Sequence, residues 1–381
     1  MLPFELSIPT RIHFGIGIYA SALKKEVELL QGKVLLVTTG RSLYKFGYVQ
    51  NVYNELEKIV GVGCVSVFDK ISANPKIDEV KQGIAIGKGF GANLIVGFGG
   101  GSSIDAAKAI AVGIGTEAPI EDFLFDAKAP TEGTLPIIAI PTTAGTGSEL
   151  SQGAIITCQK RTIKTGIRGK EILPTVAIVD PEFTLRMPLS ITMETGFDVF
   201  AHAVESYISK QATSFSEMLS LEAIHLVVEA LPVLRINLQD KIAREKMSYA
   251  SMLMGINLAQ VGTALPHRMQ YPVGAHTDTS HAAGLLALYP AWVSCAYPYC
   301  AEKFNKIATI LSNKKCVGKE AAISCFEQFI KELGVRKNLL DLGLAKKEIL
   351  QLSDEVTGNI STDFAAQKTG IMDEIYCMAM E

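Results

Sequence analysis

Short apolar runs alternate with helix-like segments through the first half of the chain. Segments such as SALKKEVELL (21–30) and KIDEVKQGIAIGKGF (76–90) have helical periodicity. The apolar runs each close near a Gly, Thr or Asp, and they are KVLLVTTG (33–40), CVSVFDK (64–70), ANLIVGFGGG (92–101), LPIIAIPTTAG (135–145) and TVAIVDP (175–181). Strands that alternate with helices in this way predict an α/β fold, a Rossmann-like and mostly parallel sheet with helices on both faces.

The pattern changes near Pro188 to long helical periodicity with little strand signal, as in FSEMLSLEAIHLVVEALPVLRINL (215–238). A chain of 381 residues also exceeds what one core usually supports. We therefore predict an α/β domain over 1–184 and an all-helical domain over 185–381. The linker lies near 182–190, where prolines mark the change of pattern.

Composition narrows the class of protein. Hydrophobic residues make up 48% and charged residues 20%, which is typical of a globular chain rather than a disordered one. A net charge of −3 gives no electrostatic footprint for nucleic acid or an anionic membrane surface. We expect a small-molecule ligand and no nucleic-acid partner.

The cysteines and the apolar segments bear on the cellular compartment. The seven cysteines are odd in number and form no C-x-x-C motif, so neither a disulfide framework nor a thiolate zinc site is indicated. The amino terminus has neither the basic nor the long apolar region of a signal peptide. The uncharged stretch 281–301 contains Pro290 and Pro298, which favour a buried helix and loop over a membrane span. We expect a cytoplasmic protein without membrane association.

A glycine-rich loop joins the run 92–99 to a following helix. Gly99, Gly100, Gly101 and Ser102 let the backbone approach a diphosphate, and the free N–H groups of a helix start attract anions. The loop is not a P-loop, and Ser102 replaces the third glycine of the usual dinucleotide fingerprint. The alternative is a tight strand-to-helix turn without a ligand.

A second polar loop, PTTAGTGSE (141–149), follows the run 135–141. Thr142, Thr143 and Thr146 offer hydroxyls for phosphate or ribose, although they also suit an ordinary turn. In parallel sheets ligands gather at the carboxyl ends of strands, where both loops are expected to lie. The two loops together favour a bound nucleotide.

One carboxylate and three imidazoles are spaced like the ligands of a divalent metal. Asp198 and His202 are four residues apart in a helical segment, so they share one face. His267 and His281 flank a segment that we expect Pro272 and Gly274 to break, so two helix ends deliver them. This ligand set suits Fe(II) or Zn(II). The alternative is a helix-capping Asp198 with satisfied core or surface histidines.

Taken together, the motifs resemble the iron-containing (group III) alcohol dehydrogenases over nearly the whole chain. Order and spacing agree as well as residue type. The matching elements are PTRIHFGIG (9–17), SANP (72–75), GFGGGSSIDAAKAIA (97–111), PTTAGTGSE (141–149), LPTVAIVDPEFT (173–184), TGFDVFAHAVESY (195–207) and H-x13-H (267–281). The resemblance implies a dehydroquinate-synthase-like architecture with the metal in the cleft between two domains.

The resemblance also implies roles for individual residues. The four metal ligands are then Asp198, His202, His267 and His281. The residues that it places beside the cofactor's pyrophosphate, neighbouring phosphate and nicotinamide are Gly99, Gly100, Gly101, Ser102, Asp105, Thr142, Thr143 and Thr146. Asn74 and Lys164 also fall where relatives place cofactor contacts, and without the family match both are ordinary loop residues.

Two places in the chain differ from many members of the family, one in a residue that affects cofactor preference and one in a residue that affects proton transfer. NAD-preferring relatives carry an Asp where Gly40 stands, and Arg41 beside it suits a 2′-phosphate, so NADP(H) is favoured over NAD(H). Many relatives carry a proton-transferring His where this chain has Tyr271, which is a poor proton shuttle near neutral pH. His276 is a substitute, as are ribose hydroxyls and water, although His276 and its neighbour Asp278 also suit a turn.

The expected activity is reversible hydride transfer between NAD(P)(H) and a small alcohol or aldehyde. Fe2+, or alternatively Zn2+, polarises the carbonyl, and His267, Tyr271 and His276 are the catalytic candidates. A dehydroquinate-synthase-like lyase, a maleylacetate reductase and a non-enzymatic nucleotide- or metal-binding protein are the alternatives. The apolar composition also favours a homo-oligomer, a dimer or larger.

Overall fold

The computed structural model describes residues 3–335, 337–349 and 351–381. The chain divides into two compact units. One unit is Ser7–Arg186, and the other is Met187–Glu381 with the described residues up to Leu6. The division falls two residues after the boundary expected at 184, and the start of the chain is grouped with the later unit.

Eight strands lie in the described part of the first unit. They are β1 (Arg11–Phe14), β2 (Val34–Thr39), β3 (Val65–Ile71), β4 (Leu94–Gly99), β5 (Ile137–Pro141), β6 (Gly153–Cys158), β7 (Ile163–Arg168) and β8 (Val176–Val179). Six of them form one parallel sheet in the order β1-β8-β5-β4-β2-β3, while β6 and β7 pair as an antiparallel hairpin. The five apolar runs are β2, β3, β4, β5 and β8. The sequence did not indicate β1 or the hairpin, because β1 is only four residues long and carries Arg11 and His13.

Helices cover both faces of the sheet, as the alternation predicted. They are α1 (Tyr19–Leu30), α2 (Arg41–Lys45), α3 (Tyr48–Val60), α4 (Ile77–Phe90), α5 (Gly101–Ile114) and α6 (Ile120–Phe125). In β2, Val34 and Leu36 join one hydrophobic cluster and Leu35 and Val37 join another. Successive side chains of a strand point to opposite faces, so both faces are buried and the α/β class is confirmed.

The strand register brings the ends of neighbouring strands together. Thr38 of β2 pairs with Phe98 of β4, and Gly99 pairs with Pro141 of β5. Because all three strands are parallel, the segments that follow them leave the sheet at the same edge. The two glycine- and threonine-rich loops are therefore neighbours.

The described residues of the second unit form helices and no strand, which confirms the all-helical expectation. The helices are α7 (Leu189–Ile208), α8 (Ser214–Ile236), α9 (Lys241–Gln260), α10 (Leu265–Thr277), α11 (His281–Ala296), α12 (Ala301–Ser312), α13 (Lys319–Leu333), α14 (Lys346–Ile349) and α15 (Ile371–Met378). Most of α11, in the uncharged stretch, is buried in this unit. Within the residues that the structure covers, no helix is long and apolar enough to cross a membrane.

One local expectation was wrong. Pro272 and Gly274 do not break the segment between His267 and His281, because α10 continues through both to Thr277. The chain turns only afterwards, at Asp278, which adopts a left-handed conformation with φ 52°. Asp278 thus ends the helix, in agreement with its alternative reading as a turn residue.

Candidate active site

Three helices of the second unit bring together a carboxylate and two imidazoles. Asp198 lies in the middle of α7, His267 in the first turn of α10, and His281 at the first position of α11. One ligand atom from each lies within 4.8 Å of the others. The Oδ1 atom of Asp198 is 3.4 Å from Nε2 of His267 and 3.6 Å from Nε2 of His281. This is the spacing of side chains that share one ion.

His202 lies beside the same three residues. It is one helical turn after Asp198 on α7, and its Nε2 is 3.9 Å from Oδ1 of Asp198. Its ring stacks on that of His267, with centroids 4.3 Å apart and an interplanar angle of 23°. The three imidazoles of the predicted ligand set therefore face one oxygen of the fourth predicted ligand, Asp198.

The hydrogen bonding of this cluster fits a bound cation. Oδ1 of Asp198 and Nε2 of His267 are buried, and neither has a hydrogen-bond partner among the described residues. A buried polar atom without a partner is costly, and such atoms are rare in folded proteins. A divalent cation would engage both atoms, and an imidazole-carboxylate set suits Fe(II) or Zn(II). The residues present thus fit the expected metal.

Electrostatics in the cluster also favour positive charge. Burial alone would raise the pKa of Asp198, but the three surrounding imidazoles outweigh burial and hold this pKa well below its ordinary range. Burial alone would lower the pKa of His267, whereas Glu205 and Asp198 raise it to about 10. A proton and a metal ion compete for the same imidazole nitrogen, so metal binding here is coupled to proton release.

Glu205 is a functional residue that the sequence reasoning missed. It is fully buried, and its Oε1 lies 2.6 Å from Nδ1 of His267. Its Oε2 accepts a hydrogen bond of 2.7 Å from the backbone N–H of Ala264. Both oxygens of Glu205 thus accept hydrogen bonds, so Nδ1 of His267 is the donor and its Nε2 is the nitrogen left for a metal ion. The available signal was helical spacing, since Glu205 follows Asp198 and His202 at i+7 and i+3.

Gln270 performs the corresponding task for His281. It is fully buried on α10, and its Oε1 lies 2.6 Å from Nδ1 of His281. A Cβ atom added at Gly284 would lie 2.6 Å from Cγ of Gln270, so the glycine on α11 makes room for this side chain. Nothing in the local sequence pattern pointed to this contact.

The two candidates for proton transfer, Tyr271 and His276, have different surroundings. Tyr271 is one turn after His267 on α10 and is buried, and its hydroxyl oxygen accepts a 3.0 Å hydrogen bond from Nη1 of Arg268. His276 lies 2.7 Å from Glu355 through its Nε2. Nine residues of helix place it about half a turn out of phase with His267 and roughly 13 Å along the axis. The structure does not bring His276 to the cluster.

In the first unit, the two loops at the sheet edge lie against each other. A Cβ atom added at Gly101 would lie 2.6 Å from Oγ1 of Thr146, and one at Gly100 would lie 3.3 Å from Oγ1 of Thr143. The backbone N–H of Thr142 donates to the carbonyl of Gly99 at 2.9 Å. Side chains at these glycines would fill the space beside the start of α5. The amides at that helix start suit a diphosphate.

Asp105 and Lys108 of α5 contact the second loop and the strand after it. Both carboxylate oxygens of Asp105 are engaged, Oδ1 by the hydroxyl of Ser148 and Oδ2 by the N–H of Ile155 at 2.9 Å. Lys108 is fully buried and donates to the carbonyl oxygens of Ser151 and Gly153 at 2.9 and 2.8 Å. The contacts of Asp105, which was expected beside the pyrophosphate, hold the second loop against α5.

The remaining cofactor candidates lie on nearby segments of the same unit. Nζ of Lys164, on β7, donates to Oδ1 of Asn74 at 3.0 Å, and both side chains are buried. The Ser102 hydroxyl donates to the carbonyl of Ala73, which joins the start of α5 to the Asn74 segment.

Gly40 and Arg41 follow β2, at the same edge of the sheet as the two loops. A Cβ atom added at Gly40 would lie 3.2 Å from the carbonyl oxygen of Asp69. Arg41 is the exposed first residue of α2. The position therefore carries no carboxylate of its own and presents a cation to solvent.

Two family models together match most of the chain. The model described as iron-containing alcohol dehydrogenase matches residues 9–181, and the carboxy-terminal model of the Fe-containing alcohol dehydrogenase family matches residues 192–380. The chain belongs to the iron-containing alcohol dehydrogenase family, as the motif set indicated.

Individual relatives agree with this assignment. The chain is 30% identical over 348 residues to the NAD-dependent methanol dehydrogenase of Bacillus methanolicus, with 90% of each chain covered. It is 29% identical over 356 residues to the lactaldehyde reductase of Escherichia coli strain K12, with 92% of each covered. The solved structure of an archaeal alcohol dehydrogenase from a Red Sea brine pool matches with a TM-score of 0.93 and 29% identity, over 100% of this chain and 99% of that one. The expected class, a metal-dependent alcohol dehydrogenase or aldehyde reductase, is confirmed.

Proposed function

We propose that this protein catalyses reversible hydride transfer between a nicotinamide cofactor and a small aldehyde or alcohol, at a metal held by Asp198, His202, His267 and His281. One observation carries the assignment of the ligands. Three imidazoles, one each from α7, α10 and α11, face one buried carboxylate oxygen of Asp198, and that oxygen and Nε2 of His267 have no hydrogen-bond partner in the described structure. When bound, a divalent iron or zinc ion supplies Lewis-acid polarisation of the carbonyl oxygen.

The chain's own residues hold and orient the reactants. Glu205 and Gln270 fix the rings of His267 and His281 through their Nδ1 atoms, which directs both Nε2 atoms towards Asp198. The amides at the start of α5, with Thr143 and Thr146 beside them, suit the pyrophosphate. The nicotinamide supplies the hydride chemistry, and the protein supplies orientation and exclusion of water.

We further propose that the protein accepts NADP(H) and favours it over NAD(H). The support is the absence of a carboxylate at Gly40, where one would repel a 2′-phosphate, and the exposed guanidinium of Arg41 next to it. The relative from Bacillus methanolicus is named NAD-dependent, so the two cofactors must be compared directly. We expect Arg41→Ala to lower kcat/KM for NADPH about tenfold and to leave kcat/KM for NADH within about twofold. Equal losses with both cofactors would contradict the preference.

A homo-oligomer, a dimer or larger, and a cytoplasmic location remain part of the proposal. The apolar composition supports the first, and the cysteine usage supports the second. Light scattering on the purified protein gives the number of subunits directly. A monomer at micromolar concentration would contradict the first expectation.

The central experiment loads the protein with Fe2+ under anaerobic conditions. The absorbance of NADH and NADPH is followed against a panel of aldehydes, and bound metal is measured in the same samples. We expect His267→Ala to lose both the metal and turnover, because it removes one of the four ligands. His225→Ala on the exposed face of α8 is the matched control and should retain both. Full turnover in a metal-free His267→Ala protein would overturn the proposal.

A further inference from the structure

A buried cation without a counterion follows the metal-ligand candidate on α10. Arg268 is the residue after His267, and only 8% of its surface is exposed. Across the described residues, no carboxylate oxygen lies within 4.0 Å of its guanidinium. A buried charge without a partner is strongly destabilising, often by several kcal/mol. Such a group is expected to meet an anion from outside the chain.

The buried acidic residues of neighbouring segments are already engaged. Glu205 binds His267 and the backbone of Ala264. Asp363 accepts from the indole N–H of Trp292 at 2.8 Å and from the backbone N–H groups of two residues. The partly exposed Glu355 pairs with His276. None of these three carboxylates is therefore the counterion of Arg268.

The donors of Arg268 are also incompletely used. Nη1 donates to the hydroxyl oxygen of Tyr271 at 3.0 Å, and the guanidinium carbon lies 5.6 Å from the centroid of that ring. Nε is buried and has no hydrogen-bond partner among the described residues. A guanidinium presents five N–H donors in a planar fork that matches the oxygens of a carboxylate, phosphonate or sulfonate.

The position of Arg268 on α10 places it close to the metal-ligand candidates. His267 and Tyr271 are four residues apart on α10, so they share a face. Arg268 is hydrogen-bonded to the Tyr271 hydroxyl. Its side chain also packs against Gly358, where an added Cβ atom would lie 3.2 Å from Cδ of Arg268. These contacts hold the guanidinium against Tyr271, which lies one helical turn after the metal-ligand candidate His267.

We propose that Arg268 and Tyr271 form an oxyanion subsite that binds an anionic group of the carbonyl substrate, so that the preferred substrates are small aldehydes carrying a carboxylate or a similar oxyanion. This inference rests on the proposed hydride-transfer function and specifies its substrate class. A metal ion at the ligand candidates would polarise the aldehyde oxygen, and Arg268 would bind the anionic substituent. A free inorganic anion shares the same chemistry, so the experiment must separate the two sources.

The test compares two aldehydes of equal chain length, 4-oxobutanoate and butanal, with the metal-loaded enzyme and saturating cofactor. We expect kcat/KM to be higher for 4-oxobutanoate. Arg268→Met, which keeps the length of the side chain, should lower kcat/KM for 4-oxobutanoate about 100-fold and for butanal less than about threefold. Arg268→Lys should restore part of the loss, because an ammonium group keeps the charge but lacks the fork.

Three controls make the comparison decisive. Arg235→Met, at an exposed position in the last turn of α8, should leave the ratio of the two kcat/KM values unchanged. Metal content of Arg268→Met should equal that of the wild type, which shows that the helix is intact. Inorganic sulfate should inhibit 4-oxobutanoate reduction competitively in the wild type and only weakly in Arg268→Met.

The possible failures are distinguishable. Turnover of both aldehydes without discrimination, or equal losses with both in Arg268→Met, would overturn this inference and leave the proposed function intact. Arg268-dependent binding of sulfate without discrimination between the aldehydes would identify a free-anion site and overturn the substrate role. Turnover of no aldehyde, neutral or anionic, would overturn the proposed function and this inference with it.

Discussion

Glu205 shows how one buried residue sets the chemistry of another. Its carboxylate accepts from Nδ1 of His267 and from the N–H of Ala264, so it orients the ring and ties down the start of α10. In Glu205→Gln the amide oxygen still accepts from one of these donors, but the amide NH2 then faces the other. We expect apparent metal affinity, measured by competition with a chelator, to fall about 10- to 100-fold.

The matched control for this prediction is Glu222→Gln, at an exposed position on α8. It should bind the metal like the wild type. If Glu205→Gln also kept wild-type affinity, the hydrogen bond from His267 would have no part in metal binding.

Glu149 is a buried carboxylate at the end of the second loop, and its effect on stability has a definite sign. Burial raises its pKa from the ordinary 4.5 to about 7, although its backbone N–H and Lys108 both lower this pKa. Between these two pH values the folded state binds more protons than the unfolded state, so the free energy of unfolding falls as pH rises. Glu149→Gln removes this penalty, which is of the order of 3 kcal/mol above pH 7.

Thermal melting at two pH values tests this prediction. We expect Glu149→Gln to raise the melting temperature more at pH 8 than at pH 5. Glu132→Gln, in an exposed loop, should change neither value. An equal shift at both pH values would mean that Glu149 does not change its protonation state over this window.

At the scale of elements, Lys108 connects α5, the helix that follows the glycine-rich loop, to the segment after the second loop (141–149). Its ammonium group donates to the backbone carbonyls of Ser151 and Gly153 from a fully buried position on α5. Lys108→Met leaves both carbonyls without this donor and loosens the loop that faces Gly100 and Gly101. We expect the Kd for NADH, measured by fluorescence titration, to rise about tenfold.

Metal binding provides the internal control, because the four ligand candidates lie in the other unit. Lys108→Met should therefore keep wild-type metal affinity, and Lys25→Met on the exposed face of α1 should keep both affinities. An unchanged Kd for NADH in Lys108→Met would show that the two loops do not need this contact to bind the cofactor.

At the scale of the whole molecule, the metal is expected to stabilise one unit. All four ligand candidates lie in Met187–Glu381, and a ligand stabilises only the structure that binds it. At about 100 times its Kd, the metal adds roughly 2.7 kcal/mol to the free energy of unfolding. We expect hydrogen exchange to slow on metal addition in peptides from α7, α10 and α11 more than in peptides from β2, β4 and α5.

His267→Ala should abolish this metal-dependent protection, whereas His225→Ala should retain it. Protection that is uniform over both units, or that persists in His267→Ala, would contradict the assignment of the ligands. Addition of cofactor in place of metal should protect the peptides that contain Gly99–Gly101 and Thr142–Thr146 instead.

Local patterns in the sequence determined many of the secondary-structure elements of this protein and which side chains share a helix face. The apolar runs at 33–40 and 92–101 predicted β2 and β4, and helical spacing placed Asp198 and His202 on one face. Such features depend on residues that are neighbours in the chain, where the periods of helix and strand decide which side chains lie together. The failure at Pro272 is of a different kind, because surrounding packing kept α10 intact where the local signal favoured a break.

Only the tertiary structure decided which distant side chains meet. Glu205 binds a histidine 62 residues away, and Lys108 reaches carbonyl groups 43 and 45 residues along the chain. His276 is paired with Glu355, 79 residues away, and not with the metal-ligand candidates. These contacts depend on how helices and loops pack, and one chain's periodicity carries no information about that packing. The fold class and the set of metal-ligand candidates were therefore readable from sequence. The residues that orient those candidates were not, and neither was the guanidinium of Arg268, which has no carboxylate partner among the described residues.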